Sequence, residues 1–590
     1  MVPMARVCLL ALLVACAHDA APTATLTPTP ALRWQPWSAE TFARAKREGR
    51  YVLVSVQAVW CHWCHVMNDV TFADSAVRRE LADHFVAIKV DSDERPDLAD
   101  RFRDYGWPAT ALLTPEAELV IALRGYRPPD VFAELLAEVA AGERPAAPEP
   151  EPAEAEADLE TLRAAARERL DSLYDEDLGG WGFRQKYPYG APVEHAFFRS
   201  EVLGESRWRG RALATLEGYA RLIDPVDGGM YQYSLRHGWD HPHFERIAAV
   251  QGSAIGAFAE AARLTGEPRW RERMERVRTY ADEVLGAPGG AWYASQDADV
   301  DHDTPGADYF SRDAEGRAAL GAPRIDRHVY VDRSAQILVG MLAAARAGDE
   351  IALASALRAA DRMEGARGDD GLFVHEIDAA PGPLRYLLDQ AWMLRAELLL
   401  HEATGEKRWR EAALRTARAM EAHLQRPPEE GGGFYAHTPD PAAAGLFADR
   451  RVPLNENGVA ARGLLHLSRL ADDDRWAELA KRALRSQTPA TIRAAGRRVG
   501  DYLLALEELL GPYVLLSVVG PDDEVTAALH RASFELPIPQ RLVELDRPGE
   551  GRYPFPGQPA VFLCNESACS MPVSDPSELA AQAAAILADR

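Results

Sequence analysis

Positive charge is in short supply in this 590-residue chain: 66 Lys and Arg stand against 90 Asp and Glu, a formal net charge of −24. Such a field repels phosphate backbones, so nucleic acid is excluded as a partner. Long apolar runs are also missing. No stretch reaches the ~18 consecutive apolar residues of a membrane-spanning helix. Cysteine is scarce, with six residues at positions 8, 16, 61, 64, 564 and 569. No more than two thiols cluster outside the N-terminal segment, so no complete thiolate metal cage is expected and no metal is assigned. What is abundant is apolar content, 47% over 590 residues, enough to bury more than one core and to form several domains.

Residues 1–16 read MVPMARVCLLALLVAC, with one positive charge at Arg6, an apolar run from Val7, and the ending Leu13-Val14-Ala15-Cys16. That ending resembles a bacterial lipobox, which predicts export and acylation of Cys16, placing the protein on the periplasmic face of a bacterial membrane. An ordinary secretory peptide is the alternative. Residues 17–32, rich in Ala, Thr and Pro, read as a flexible tether. In an oxidising compartment the four remaining cysteines fall by spacing into two pairs, Cys61 with Cys64 and Cys564 with Cys569.

The stretch Cys61-His62-Trp63-Cys64-His65 matches both a c-type haem attachment signature and a thiol–disulfide exchange pair. Its flanks separate the two. The β-branched run YVLVSVQAVW precedes it, a helix-like segment and the strand VAIKVDSD follow, and Gly106-Trp107-Pro108 leads into two short strands and a closing helix. This order resembles the thioredoxin fold over residues 33–140, with Pro108 in the role of the cis-proline facing the cysteines. A haem would need a mostly helical wrapper, whereas Cys61 follows a strand.

Cys61 at a helix N-terminus would have its pKa lowered by unpaired N–H groups and the helix dipole, and protonated His62 would lower it further. Cys64 is spaced to resolve the mixed disulfide. Where thioredoxins carry a buried Asp six residues before the first cysteine, this chain has Ser55.

Residues 141–157, AGERPAAPEPEPAEAEA, form a Pro/Glu/Ala linker. From Asp158 to about Leu510 the periodicity gives twelve helical segments. Gly-aromatic loops recur at Gly180-Trp181, Gly229-Met230-Tyr231, Gly290-Ala291-Trp292, Gly371-Leu372-Phe373 and Gly433-Phe434-Tyr435. Arg-Trp pairs recur at Arg207-Trp208, Arg269-Trp270, Arg408-Trp409 and Arg475-Trp476. Recurrence of both signals predicts six stacked helical hairpins over residues 158–511, an (α/α)6 toroid. Residues 512–590 predict a small α/β appendage.

The motifs CHWCHVM (61–67), VDSDERPD (90–97), Pro242-His243-Phe244-Glu245 and Asp297-Ala298-Asp299 resemble those of the bacterial YyaL-like and animal spermatogenesis-associated thioredoxin-domain family. The resemblance implies a thioredoxin-like domain followed by a six-hairpin glycosidase-like toroid. It puts His243, Glu245, Asp297, Asp299 and Asp389 forward as a barrel site, with Asp227, His241 and Glu456 as further polar candidates. The chain departs from the family at Arg246-Ile247-Ala248, at Val331-Asp332-Arg333 and at Pro453-Leu454-Asn455-Glu456, losing polar groups expected near the barrel mouth.

These readings combine into an exported thiol–disulfide oxidoreductase, requiring no cofactor, that meets a client protein or redox partner through Cys61 and Cys64. The toroid is expected to bind a ligand or partner and to catalyse little sugar chemistry. The alternative is a carbohydrate-binding or carbohydrate-processing toroid with a subordinate thioredoxin module. For Cys564 and Cys569 a structural disulfide is expected, with an internal redox partner of Cys61/Cys64 as the second option.

Overall fold

The structure, a computed structural model, describes residues 31–142 and 157–588. Cys16, nearly all of the expected tether and most of the expected linker lie outside them.

The first domain is built on the four-stranded sheet β2-β1-β3-β4, with β1 (Tyr51–Gln57) central. β1 is buried along nearly its whole length, as its Val-rich run requires. It pairs parallel with β2 (Phe85–Asp91) and antiparallel with β3 (Ala109–Leu113), which carries β4 (Leu119–Arg124) on its far edge. Around this sheet lie α1 (Ala39–Glu48), α2 (His62–Val66), α3 (Ser75–His84), α4 (Pro96–Phe102) and α5 (Pro129–Ala140). Side-chain caps open three of these helices: Ser38 accepts from the Thr41 N–H, Cys61 from the Cys64 N–H, and Asp74 from the Ala76 and Val77 N–H groups. The Trp107–Pro108 peptide bond is cis.

Among the described residues, twelve long helices form the second domain. The outer set is α6 (Leu159–Asp171), α8 (Arg207–Ala220), α10 (Pro268–Glu283), α12 (Glu350–Glu364), α14 (Lys407–His423) and α16 (Asp474–Arg485). The inner set is α7 (Gly190–Glu201), α9 (Ala248–Thr265), α11 (Val331–Arg346), α13 (Leu387–Thr404), α15 (Leu454–Ala471) and α17 (Gly500–Leu510). Each inner helix packs on the next, and α17 packs back on α7, closing a ring. Even-numbered helices lie outside and odd-numbered ones inside, the alternation of an (α/α)6 toroid.

Both repeated sequence signals have structural causes. Trp208, Trp270, Trp409 and Trp476 sit in the first turns of α8, α10, α14 and α16, all fully buried, each under the guanidinium of the preceding arginine. In the Gly-aromatic loops, Met230, Trp292, Phe373 and Phe434 are buried. Their N–H groups donate to Gln251 (2.7 Å), Ser334 (3.2 Å), Gln390 (2.8 Å) and Asn457 (2.8 Å). Each acceptor is the fourth residue of the following inner helix, and each side chain also donates back to the carbonyl of the same loop residue. The loop is thereby pinned to the N-terminal mouth of the ring.

The third domain holds β5 (Val514–Val519), α18 (Glu524–Glu535), β6 (Arg541–Asp546), β7 (Ala560–Cys564) and α19 (Leu579–Ala588). β5 runs parallel to β6 and antiparallel to β7, repeating the pairing of β1 with β2 and β3. The registers correspond: Val519 lies opposite Ala560, after Pro559, as Val56 lies opposite Ala109, after Pro108. Asp523 caps α18 by accepting from the Thr526 N–H, so Asp523 and Thr526 stand where the first domain has Cys61 and Cys64. The expected appendage is therefore a second sheet of thioredoxin-like layout without the cysteine pair.

An outer domain lies over each mouth of the ring. The first domain covers the N-termini of the inner helices. The third covers their C-terminal ends, where Arg263 donates to the Leu536 carbonyl at 2.6 Å and His530 to that of Glu402 at 2.8 Å.

Candidate functional site

Cys61 follows the strand β1 and is the N-cap of α2, its Sγ accepting from the Cys64 N–H at 3.2 Å. α2 continues through a π-turn at Met67–Thr71, so the cap heads a ten-residue helical run. Cys61 and Cys64 form a disulfide. Ser55 is fully buried and accepts from Gln57 at 2.9 Å. Gln57 pairs with Asn68, and Lys89 donates to Asn68 at 2.8 Å. Neutral side chains, with the exposed Lys89 at their outer end, thus occupy the region of a thioredoxin's buried carboxylate.

The carboxylates that meet the two histidines of the motif come from the toroid. His62 Nδ1 donates to Asp299 Oδ2 at 2.5 Å. His65 Nε2 donates to the Val59 carbonyl at 3.0 Å and lies 3.7 Å from Asp297 Oδ2. Glu245 is buried and bonded to His243 Nδ1, whose ring stacks on Tyr233 at 4.8 Å. The hydrogen bond to Asp299 raises His62 above its ordinary range, against the opposing effect of burial. At Asp299 the raising effect of burial is outweighed by the bonds from His62 and from the Gly306 N–H, so its carboxyl lies below the usual range. Burial pushes Asp297 up to about 6, against the pull of His65.

Four of the five barrel residues singled out in the sequence therefore converge on the cysteine motif: Asp297 and Asp299 at its histidines, with His243 and Glu245 beside them. The fifth, Asp389, serves the same domain contact elsewhere. It accepts from His375 Nδ1 at 3.0 Å and from the Asp332 N–H at 2.9 Å, while His375 Nε2 donates to the Asp93 carbonyl of the first domain at 2.7 Å. Nε2 can only donate to a carbonyl and Nδ1 faces a carboxylate, an arrangement that favours the imidazolium. Burial alone would lower its pKa, but Asp389 and its neighbours hold it up at about 9. Asp93 also accepts from Trp60 at 2.8 Å and from Arg333 at 2.6 Å, and Arg95 bridges Asp97 and Asp440. The 90–97 motif is thus the first domain's main handle on the ring. The sequence carried no signal for Arg333, His375 or Asp440 as its partners.

Two clusters have the residue types of a metal site, His65 with Asp297 and Asp299, and Asp332 with His375 and Asp389. In the second, both imidazole nitrogens are spent on acceptors. In the first, His65 Nε2 is spent on a carbonyl. Neither has the chemistry of a prepared cation site.

The two sulfurs are enclosed: Cys61 is 4% and Cys64 1% exposed. Ala58, Trp60 and Ile247 pack around them, with Trp107, Ala249 and Val250 against the cluster. Behind this wall a cavity of about 700 Å³ runs down the ring axis to Ile538–Leu542 of the third domain. None of His243, Glu245, Asp297, Asp299 and Asp389 lines it. Glu456 does, 7% exposed and without a hydrogen-bond partner among the described residues, and burial with Asp100 nearby pushes its carboxyl up to about 8.

Cys564 and Cys569 form a disulfide in the third domain, with the Tyr553 hydroxyl donating to Cys564 Sγ at 3.0 Å. The 18-residue α9 meets the first cysteine pair at its start and the third domain at its end. The two disulfides are therefore separated by roughly 27 Å of helix, and direct exchange between them is not possible in this arrangement.

Comparison with known proteins agrees with the resemblance read from the sequence. Residues 23–140 match the family Thioredox_DsbH, described as a protein of unknown function, DUF255. Human spermatogenesis-associated protein 20 is 28% identical over 315 residues, 45% of this chain and 39% of that protein. An uncharacterized protein of Caenorhabditis elegans is 27% identical over 303 residues, 45% and 41% of the two chains. The chain thus spans about two-fifths of the length of the curated relatives it matches. Among solved structures it is similar to a D-mannose isomerase (TM-score 0.46, 9% identity, 60% of this chain and 97% of that one) and to the cellobiose 2-epimerase of Bacillus thermoamylovorans (TM-score 0.43, 11% identity, 55% and 85%). Residues 23–140 are thus similar to the DUF255 family, and in the structure this thioredoxin-like segment is joined to an (α/α)6 toroid.

Proposed function

We propose that this protein is a thiol–disulfide oxidoreductase whose active site is shared between two domains. The observation that carries the reading is the Cys61–Cys64 disulfide at the head of α2, with both histidines of its motif facing toroid carboxylates. Cys61 is the attacking thiol, its thiolate favoured by the helix N-terminus and by His62, whose protonated form the bond to Asp299 favours. Cys64 resolves the mixed disulfide. Asp297, held partly protonated beside His65, is placed to exchange a proton during the cycle.

Titration of the full-length protein in a dithiol/disulfide buffer tests this, following Cys61 and Cys64 by alkylation and peptide mass. A reversible two-electron transition, with exchange activity abolished in Cys61→Ala, is expected. A pair that stays oxidised across the range of thioredoxin-type couples, or exchange that survives Cys61→Ala, would show it to be a structural staple.

A second part of the reading concerns location. No helix among the described residues is long and apolar enough to cross a membrane. The Leu13-Val14-Ala15-Cys16 sequence supports attachment through an acyl chain on Cys16 and export to an oxidising compartment. Expression in a bacterium with intact-mass analysis tests it: an acylated Cys16 is expected, and an unmodified one overturns it.

A further inference from the structure

The Cys564–Cys569 disulfide takes no part in the cycle of Cys61 and Cys64, and its surroundings are the reverse of theirs. Cys564 ends β7 and is buried, while Cys569, five positions later in the chain, is exposed to solvent. The hairpin that joins them closes without the S–S bond. Val561 and Val573 exchange both of their backbone hydrogen bonds, at 2.8 and 2.9 Å. The Ser570 N–H donates to the Leu563 carbonyl at 2.8 Å, and the Asn565 N–H to that of Ala568 at 2.9 Å. Asn565 Oδ1 accepts in turn from the N–H groups of Ser567 (2.8 Å) and Ala568 (2.7 Å). A covalent link across so short a loop removes comparatively little chain entropy from the unfolded state. Stapling is therefore a small part of what this bond can do.

The two sulfurs are inequivalent. The Tyr553 hydroxyl donates to Cys564 Sγ at 3.0 Å and lies 3.7 Å from Cys569 Sγ. Its ring stacks on Phe562 at 4.8 Å, which holds the hydroxyl in place. A hydrogen bond of this kind strengthens as its acceptor gains negative charge, so it favours Cys564 as the sulfur that leaves as a thiolate. Exposure favours Cys569 as the sulfur that is attacked. Beside it, the half-buried Tyr553 and Phe555 pack on Val519, Phe562 and Cys564. Pro554 and Pro556 are exposed, and Met571, two residues beyond Cys569, is 83% exposed. The accessible sulfur thus sits at an apolar rim, a surface suited to contact with another protein.

We propose that Cys564–Cys569 is a second thiol–disulfide exchange site, open to a folded protein that presents a dithiol on its surface. It stands apart from the chemistry assigned to Cys61 and Cys64. A thiolate of the partner attacks Cys569 Sγ. The partner S–Sγ bond forms, the Cys564–Cys569 bond breaks, and Cys564 leaves as a thiolate towards which the Tyr553 hydroxyl is already directed. Cys564 then takes up the proton that the attacking thiol released. The partner's second thiol attacks the partner's own first sulfur, the partner disulfide forms, and Cys569 leaves and is protonated. The partner dithiol loses two electrons, one disulfide of this chain gains them, and no further reagent is needed.

The test uses the full chain in its disulfide form and, as probe, a thioredoxin carrying only its attacking cysteine. After an alkylating quench, peptide mass is expected to find the probe on Cys569 and the alkyl group on Cys564 of the same molecules. Intact thioredoxin supplies the rate. It should reduce Cys564–Cys569 at least about tenfold faster than the enclosed Cys61–Cys64 pair in the same sample, because thiol exchange needs access to the sulfur. Tyr553→Phe keeps the stacked ring and removes the hydroxyl. It should slow that reduction about three- to tenfold, the worth of one hydrogen bond, and raise the Cys564 thiol pKa in the reduced protein, which a merely structural tyrosine would not move. A probe found on Cys564, a pair that neither captures the probe nor is reduced by thioredoxin, or a Tyr553→Phe protein with the wild-type rate and thiol pKa would overturn the proposal. Reduction of Cys61–Cys64 alone would overturn it while leaving the redox reading of that pair intact.

Discussion

His62 and Asp299 show how a single contact sets a pH window. His62 is raised above its ordinary 6.5, so its contribution to docking is complete below 6.5 and is lost as pH rises through the raised value. Asp299 is depressed below its ordinary 3.8, so its contribution is complete above 3.8 and is lost as pH falls through the depressed value. Asp299→Asn is expected to return the His62 midpoint towards 6.5, read from the imidazole resonances, and an unchanged midpoint would mean that the two side chains do not meet in solution. His375 gives a sharper case. Its pKa of about 9 means that the His375–Asp389 strut is fully stabilising below 6.5 and fades as pH rises through 9. Asp389→Asn leaves a buried imidazolium without its counter-charge and should cost about 3–5 kcal/mol near neutral pH. By denaturant unfolding that cost should shrink above pH 9, where the wild-type ring is itself neutral. A pH-independent cost would reassign Asp389 to the hydrogen bond from the Asp332 N–H alone.

At the scale of the element, the fourth residue of an inner helix decides whether the preceding loop can be buried. Gln390 satisfies both the N–H and the carbonyl of Phe373. Gln390→Leu keeps the volume but strands two buried backbone groups, an expected loss of about 1–3 kcal/mol for each, measurable as a lower urea midpoint with an unchanged slope. Trp270, wedged in the first turn of α10 under Arg269 and Arg273, should cost about 3–5 kcal/mol as Trp270→Ala. A loss below 1 kcal/mol at either site would show that the repeat is held by the ring rather than by its own clamps. The Gly-aromatic and Arg-Trp signals were legible in the sequence because glycine and tryptophan are rare and their recurrence stands out. Gln251, Ser334, Gln390 and Asn457 were not, since three different polar residue types share one role that only the folded loop defines.

At the scale of the whole molecule, the first domain covers the N-terminal mouth of the ring and is held there through Asp93, Arg95, His62 and His65. Reversing one charge by Arg333→Asp is expected to loosen it, so that alkylation of Cys61 and Cys64 after reduction becomes faster, and Asp93→Arg in the same chain should restore the slow rate. Equal alkylation rates in wild type and Arg333→Asp would mean that this bridge does not control access to the cysteines.

The sequence by itself determined the order of the three domains, the twelve long helices of the ring, the thioredoxin-like strand order around Cys61 and Cys64, and the polar residues worth watching. Those features are local: hydrophobic period, turn residues and motif spacing report on the chain within a few turns of themselves. Only the tertiary structure decided that the cysteine motif and the toroid motifs form one site. His62 and Asp299 are 237 residues apart, and no periodicity encodes a meeting at that distance. It arises because the N-terminal mouth of a closed helical ring gathers the loops that precede its inner helices, and the first domain docks its cysteine face on those loops. The same closure separated the two disulfides by the length of an inner helix and left the axial cavity bounded by both outer domains.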